Sequence, residues 1–184
     1  KKCDENRVSE ALNALIGNWP VTVLQARAVE ENIHARFSAT GRRYLYRILA
    51  QQTPPALALG RVWHHRQPLD PAAMQLAADR LLGKHDFTSF RASQCQADSA
   101  IRTLDELRID AVGAEIHLHV AARSFLHHQV RNITGTLALV GAGKWSADDV
   151  STALAARDRS AAGPTAPAEG LYLSHVSYAD ISWS

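Results

Sequence analysis

The sequence has 184 residues, of which 46% are hydrophobic and 21% charged, and a formal net charge of +2. This composition suits a globular protein with one core, or two small lobes sharing a sheet, and excludes a disordered or collagen-like chain. No apolar run reaches the length of a membrane span, no secretion signal is evident, and the two distant cysteines, Cys3 and Cys95, do not suggest a disulfide framework or a zinc knuckle. A reducing cytoplasm is therefore the expected location.

The first half of the chain is predicted to contain two strands and two helices. Residues 6–18 suit a short helix or turn, and alternating apolar and polar residues predict strands at 21–29 and 43–50. The second helix begins at Asp70-Pro71, which supplies a capping side chain and a proline at the first helical position, and it ends at Gly83. Its buried stripe is predicted to comprise Met74, Ala77, Ala78, Leu81 and Leu82.

The second half is predicted to contain a hairpin, two helices and a last strand. The hairpin strands meet at Gly113, and Ser146 with Asp149 forms a capping box for the later helix. The strands and helices are predicted, in order, at residues 101–112, 114–123, 125–141, 146–157 and 171–178. The sequence therefore predicts one domain over residues 1–184, an α+β fold with a mostly antiparallel sheet and helices packed on one face.

A basic stretch lies between Glu31 and Asp70, where no acidic residue occurs. Its six arginines are Arg36, Arg42, Arg43, Arg47, Arg61 and Arg66. An unbalanced charge of this kind favours a phosphate-rich partner, and arginine outnumbers lysine sixteen to four in the whole chain, which suits bidentate phosphate contacts. A solvated basic face, or arginines paired with distant acids, is the alternative.

Two residues are candidates for chemistry. Tyr44 follows two arginines on a predicted strand, so it could stack on an unpaired base, or it could be an ordinary half-buried strand aromatic. Arg131 lies near the apolar stripe of the predicted helix 125–141, one turn after His127 and with no carboxylate within a turn. It needs an anionic partner from elsewhere in the chain or from outside it, and an internal structural ion pair is the alternative.

Other common kinds of site find little support. The neighbours His64 and His65 point apart on regular structure, as do His127 and His128, and no set of three metal ligands is evident. No G-x-S-x-G elbow, P-loop or G-x-G-x-x-G segment occurs, which argues against serine hydrolysis and nucleotide cofactors.

Four segments occur in an order that resembles one enzyme family. They are F-S-A-T-G-R-R-Y-L-Y, D-F-T-S-F-R-A, F-L-H-H-Q-V-R-N-I and A-E-G-L-Y-L. From about Asn13 onward the chain resembles the C-terminal part of a tRNA pseudouridine synthase of the TruA family. The resemblance implies the C-terminal half of the ferredoxin-like pseudouridine synthase fold.

The resemblance also implies roles for individual residues. Tyr44 takes the place of the active-site tyrosine that stacks on the target uracil and has been proposed to help move the C5 proton. Arg131 takes the place of the arginine that forms a salt bridge with the catalytic aspartate, and Leu171 lines the uracil pocket. The candidates for contacts with RNA phosphates are Arg36, Arg42, Arg43, Arg47 and Arg91.

One motif of the family has no counterpart here. The nucleophilic aspartate lies in a G-R-T-D-A-G-V-H segment, which does not occur in these 184 residues and which in the family precedes the matching region. Asp86 stands in the different context D-F-T-S-F, so it is not assigned this role. We therefore expect the partner of Arg131 to lie outside this chain, and the chain alone to be inactive. Its start, Lys1-Lys2-Cys3, is compatible with a processed or a truncated protein.

The implied reaction is the isomerisation of uridine to pseudouridine in the anticodon stem-loop of tRNA, by a homodimer and without a cofactor or metal. The target base is flipped out of the stack because its glycosidic bond cannot be reached inside the helix. Two alternatives remain open. The chain could be a non-catalytic tRNA-binding module or chaperone, or a ferredoxin-like structural domain without an RNA partner.

Overall fold

The computed structural model describes residues 4–179 and residue 181. The chain divides into two compact units, Lys1–Ser38 and Ala39–Ser184. The single domain predicted over residues 1–184 stays a prediction. Among the described residues, no helix is both long and apolar enough to cross a membrane.

The first unit contains one helix, α1, at Glu5–Ile16, which confirms the short helix predicted there. The strand predicted at residues 21–29 is wrong, because this segment pairs with no other strand. The Asn13 side-chain amide instead donates to the carbonyl of Val23 at 2.9 Å and accepts from its N–H at 2.7 Å. A helix side chain thus takes the backbone groups that a neighbouring strand would have used.

The second unit is built on a six-stranded sheet. Its strands are β1 (Ala39–Ala50), β2 (Trp63–His65), β3 (Gly83–Asp86), β4 (Ile101–Val112), β5 (Glu115–Ala122) and β6 (Leu171–Tyr178). One edge of β1 pairs with β5 in antiparallel, and β5 continues through β4 to β3. The other edge of β1 pairs with β6 in antiparallel and, over residues 48–50, with β2 in parallel.

Three helices accompany this sheet. They are α2 (Pro71–Ala78), α3 (Gln129–Gly141) and α4 (Ala147–Ala156). The predicted caps are confirmed, because Asp70 accepts from two N–H groups of α2 and Ser146 forms a capping box with Asp149. However, α2 ends before Gly83, which begins β3 instead. Leu82 is exposed and not part of the buried stripe, because its backbone is already extended.

The helix predicted at 125–141 begins four residues late, at Gln129. His128 precedes it with φ at 61°, a left-handed conformation that a helix cannot contain. The Gln129 side chain accepts from the N–H of Leu126 at 2.9 Å, while the Gln129 N–H donates to the Leu126 carbonyl at 3.1 Å. These two bonds close a turn and leave Phe125 outside the helix.

The core lies between the helices and one face of the sheet. Alternate residues of β1 and β5 share this face, as in the pairs Tyr46–Leu118 and Ile48–Ile116, and all four are buried. All three helices contribute buried side chains to the same cluster, for example Ile133 of α3. The predicted α+β fold, with a mostly antiparallel sheet and helices on one face, is confirmed.

The opposite face of the sheet carries charged pairs. Arg47 of β1 donates to both carboxylate oxygens of Glu115 on β5, at 2.7 and 2.8 Å, and His117 approaches the same carboxylate at 2.8 Å. Farther along this face, Arg43 pairs with Glu106 at 3.0 Å. Glu115 is half-buried, and the hydrogen bonds from Arg47 hold the pKa of Glu115 below its ordinary value.

We expect Glu115→Gln to flatten the acid dependence of stability. A carboxyl with a lowered folded-state pKa contributes stability that is present above its unfolded-state pKa and lost as the pH falls through its folded-state pKa. From about pH 6 to about pH 3, the free energy of unfolding of the unaltered chain should therefore fall further than that of the variant. Urea unfolding across this range measures both. Asp105→Asn, on exposed Asp105 of β4, is the control. Equal acid dependence of the free energy of unfolding in the unaltered chain and in Glu115→Gln would contradict the prediction.

Candidate active site

Tyr44 lies in the middle of β1, paired with Val120 of β5 and Leu173 of β6. It is half-buried on the face that carries the core, and its ring meets the ring of Phe125 edge to face, with 5.1 Å between centroids. The turn before α3 therefore places an aromatic side chain directly against the tyrosine. Such a contact fixes the ring orientation.

Arg131 lies in the first turn of α3 and is half-buried. Its Nε donates to the carbonyl of Ala166 at 2.6 Å, and its Nη1 lies 3.2 Å from Nε2 of His128. Within residues 4–179 and 181, no carboxylate forms a salt bridge with it. In this described part of the chain the alternative of an internal ion pair is thus not seen, and the hydrogen bonds of the half-buried Arg131 side chain go to neutral acceptors.

His128 lies beside Arg131, where the predicted helix would have placed His127. Because α3 begins at Gln129, neither histidine is helical, and the left-handed backbone brings the ring of His128 to Arg131. Burial, with the nearby charges of His127 and Arg131, lowers the pKa of His128. A neutral imidazole can accept a hydrogen bond at Nε2, so His128 is suited to hold Nη1 of Arg131.

The loop before β6 connects Arg131 to the sheet. The backbone N–H of Ala166 donates to the Arg131 carbonyl at 3.1 Å, so Ala166 is tied to both the main chain and the side chain of Arg131. The next carbonyl, that of Pro167, accepts from the hydroxyl of Tyr46 at 2.6 Å. Burial raises the pKa of Tyr46 well above its ordinary value, so its hydroxyl keeps the proton that it donates.

Leu171 begins β6 and pairs with Tyr46 of β1. A glycine is needed just before it, since a Cβ on Gly170 would lie 2.6 Å from the Arg47 carbonyl oxygen and 2.7 Å from the Tyr46 ring. Tyr44 lies two residues from Tyr46 on the same face of β1, and the loop before β6 ties α3 to Tyr46 through Ala166 and Pro167. The structure thus brings Tyr44, Arg131 and Leu171 to one region of the core face.

Comparison with known proteins identifies the family of this chain. Residues 77–179 match the tRNA pseudouridine synthase family. The chain belongs to that family. Its relatives named tRNA pseudouridine synthase A include those of Caulobacter sp. (strain K31), 58% identical over 93% of this chain and 69% of the relative, and of Rhodospirillum centenum, 56% identical over 97% and 73%. A third, from Ruegeria sp. (strain TM1040), is 52% identical over all of this chain and 73% of the relative.

These matches confirm the resemblance that four sequence motifs had indicated. The chain spans about seven tenths of the length of the named relatives. Its α+β architecture with a six-stranded sheet agrees with the pseudouridine synthase fold. The family is one of isomerases that modify tRNA.

The arginines proposed for RNA contacts have different surroundings. Arg43 and Arg47 pair with Glu106 and Glu115, so the alternative of distant acidic partners holds for these two. Arg42 donates from Nη1 to the carbonyls of Ala39 and Arg123, at 3.0 and 2.6 Å. Arg36 belongs to the first unit, where its guanidinium lies over the exposed ring of Phe37.

The segment containing Arg91 lies beside the entrance to α3. The backbone N–H of Ala92 donates to the carbonyl of His127 at 2.9 Å. Asp86, at the start of the same motif, accepts from the N–H and the hydroxyl of Thr88, at 2.9 and 2.6 Å. The hydroxyl bond holds the pKa of Asp86 below its ordinary value. Asp86 therefore stabilises a turn, which agrees with its not being assigned as the nucleophile.

Three contributors to this region were missed by the sequence analysis. His128 was treated only as one of an adjacent pair, and the carbonyl acceptors of Ala166 and Pro167 carry no side-chain signal at all. The H-H-x-x-R spacing was visible, but it places the second histidine against Arg131 only when its backbone is left-handed.

Proposed function

We propose that this chain is part of an enzyme that isomerises uridines of the tRNA anticodon stem-loop to pseudouridine. The observation that carries the proposal is the guanidinium of Arg131. It is half-buried, oriented by Ala166 and His128, and without a carboxylate partner in the described part of the chain. We extend the proposal to a cytoplasmic homodimer that needs no cofactor or metal.

In the proposed mechanism, the enzyme flips the target uridine out of its stack. An aspartate supplied from outside these 184 residues attacks or deprotonates the sugar or base, the C1′–N1 bond breaks, and the uracil rotates. A C1′–C5 bond then forms, any bond between the aspartate and the sugar breaks, the C5 proton leaves and N1 takes up a proton. Arg131 keeps the aspartate ionised and oriented, because a neighbouring cation favours the charged form of a carboxyl group.

The base is held by side chains of this chain. Tyr44 supplies a stacking surface, and its contact with Phe125 keeps the ring in one orientation. Leu171, next to buried Tyr46, supplies an apolar wall of the uracil pocket. The relatives' name, tRNA pseudouridine synthase A, supports tRNA as the substrate.

The remaining proposed contacts are with phosphates. Among the five arginines, Arg91 has the strongest support, because its segment adjoins the entrance to α3 and no ion pair within the described residues occupies it. Arg36 and Arg42 remain candidates. Arg43 and Arg47 are weaker ones, since each must first give up a carboxylate partner.

The purified 184-residue chain should bind tRNA but form no pseudouridine. Binding rests on cations present in the chain, whereas turnover needs an aspartate that its sequence does not contain in the family's context. Filter binding at increasing salt should give a log–log slope of about −3 or steeper, as expected for three or more phosphate contacts. Tritium release from tRNA labelled at uracil C5 measures turnover. Measurable release would contradict the claim about the nucleophile, and no binding at low salt would remove the RNA proposal.

A non-catalytic tRNA-binding module or chaperone is the second candidate, since it would need the cations of this chain but no aspartate in a G-R-T-D-A-G-V-H segment. Sequencing the coding region upstream of Lys1 distinguishes the two. An in-frame G-R-T-D-A-G segment supports the enzyme, and a start codon directly before Lys1 supports the module.

A further inference from the structure

A cavity of about 230 Å³ lies at the ends of β3 and β4 and the segment that follows β5. It is lined by Lys84, Ile101, Arg102, Thr103, Arg123 and Ser124. Three of these residues are cations and none is acidic. The cavity is smaller than the pockets that enclose drug-sized ligands, so it suits a compact anionic group.

The cations around this cavity are not neutralised by the part of the chain that the structure describes. Within residues 4–179 and 181, Lys84, Arg102 and Arg123 form no salt bridge. Asp86, two residues after Lys84 on β3, accepts a hydrogen bond from the hydroxyl of Thr88 and forms a salt bridge with Arg157. The positive charge at the cavity is thus left for a ligand.

Arg102 adds an independent indication. Its Nη1 donates to the carbonyls of Ser99 and Ile101, at 2.9 and 2.6 Å, which fixes the guanidinium. Its Nε is buried and has no hydrogen-bond partner among the described residues. A buried donor without an acceptor costs free energy, so a shift of the Arg102 side chain that brings Nε to a bound anion would remove a penalty as well as balance charge.

The cavity adjoins the candidate active site through the chain itself. Arg123 lies two residues before Phe125, a distance of at most about 7 Å along the backbone. Phe125 contacts the ring of Tyr44, and the Arg123 carbonyl accepts from Arg42. A nucleotide whose base reaches Tyr44 therefore has its sugar–phosphate backbone within reach of this cavity.

We propose that this cavity binds one phosphodiester group of the RNA strand, close to the nucleotide that is modified. The inference rests on the proposed function and adds Lys84, Arg102 and Arg123 to the residues that hold the substrate. Arginine forks and a lysine ammonium match a phosphate group, and Ser124 and Thr103, which also line the cavity, carry hydroxyl groups. Because the contact is with the backbone, it positions the strand and carries no base specificity.

The test removes one cation at a time without disturbing the fold. Lys84→Met and Arg123→Met alter exposed side chains. Lys144→Met is the control for loss of an exposed cation elsewhere, and Arg80→Met is the control for loss of a cation that pairs with a carboxylate, that of Asp148. Binding of the full 184-residue chain to an anticodon stem-loop RNA is measured over a range of salt concentrations. Each cavity variant should weaken binding about tenfold at low salt and make the salt slope shallower by about one. Both controls should bind like the unaltered chain.

Three outcomes decide the matter. If the unaltered chain binds RNA and the cavity variants bind equally well, the inference is overturned while the proposed function stands. If the unaltered chain does not bind RNA, the proposed function fails as well. Inorganic phosphate, titrated against the labelled chain by NMR, tests the source of the anion. Saturable phosphate binding that needs Lys84 and Arg123, with RNA affinity unchanged in their variants, would assign the cavity to free phosphate and overturn the RNA assignment.

Discussion

Replacing Arg131 by methionine is expected to abolish pseudouridine formation while most tRNA affinity remains. The protein to be tested is a longer chain that contains both these 184 residues and the family's G-R-T-D-A-G-V-H segment. Methionine keeps an unbranched side chain but removes the charge that would hold the aspartate ionised. Loss of a single group that stabilises charge in an active site typically costs about 100-fold or more in kcat. Phosphate contacts made by other cations carry the affinity, so KM and the filter-binding Kd should change little.

Two variants separate a loss of chemistry from a loss of structure. Arg157→Met removes an exposed arginine that pairs with Asp86 and should leave turnover nearly unchanged. Arg131→Lys keeps a charge but loses the two-point hold by Ala166 and His128, so kcat should recover only in part. Thermal unfolding of each variant checks the fold. Near-normal tritium release by Arg131→Met would refute the role given to Arg131.

The local sequence predicted most of the second unit because its elements carry strong local signals. The hairpin of β4 and β5 alternates around Gly113, and α4 has its capping box, so both appear where expected. The strands β2 and β3 were missed because three and four residues are too few for an alternating pattern to stand out. The start of α3 was misplaced because Phe125 and Leu126 continue the helical spacing, and only tertiary contacts impose the turn that stops it.

The charge on β1 shows another limit of local sequence. The stretch from residue 32 to residue 69 has no acid, which predicts an unbalanced basic surface. In the folded sheet, Arg47 meets Glu115 and Arg43 meets Glu106, across 68 and 63 residues of sequence. Strand register decides these pairs, and register depends on the whole sheet. Three cations that form no salt bridge within the described residues, Lys84, Arg102 and Arg123, lie instead around the cavity, which no run of sequence marks.

The candidate residues could be named from the sequence, but the groups that support them could not. Tyr44, Arg131 and Leu171 were named from motifs, and their roles stay predictions. What orients Arg131 is a backbone carbonyl of Ala166, 35 residues away, and a histidine whose position depends on a left-handed backbone. Main-chain acceptors are identical at every residue, so only the fold reveals which of them is used.

Gly135 of α3 provides a test of these supports through stability. A Cβ at this position would overlap the carbonyl oxygen of Pro164 and lie 2.9 Å from its carbonyl carbon. The loop cannot easily retreat, since Thr136 accepts from the N–H of Gly163 at 2.9 Å and Asn132 accepts from the Thr165 hydroxyl at 2.6 Å. In an open helix, alanine would be more stable than glycine by up to about 1 kcal/mol. Here the clash with fixed backbone should reverse the sign.

We therefore expect Gly135→Ala to lower the free energy of unfolding by about 3 kcal/mol, the upper part of the range for overpacked cores. Urea unfolding measures this loss. Gly143→Ala is the control, because its Cβ would meet nothing within 4 Å and the cost is only that of a φ of 69°, about 1 kcal/mol. A stability gain in Gly135→Ala would mean that the loop yields readily. The carbonyl of Ala166, which belongs to that loop, could then not hold Arg131 in place. The orientation of the guanidinium would have to come from His128 and the proposed catalytic aspartate alone.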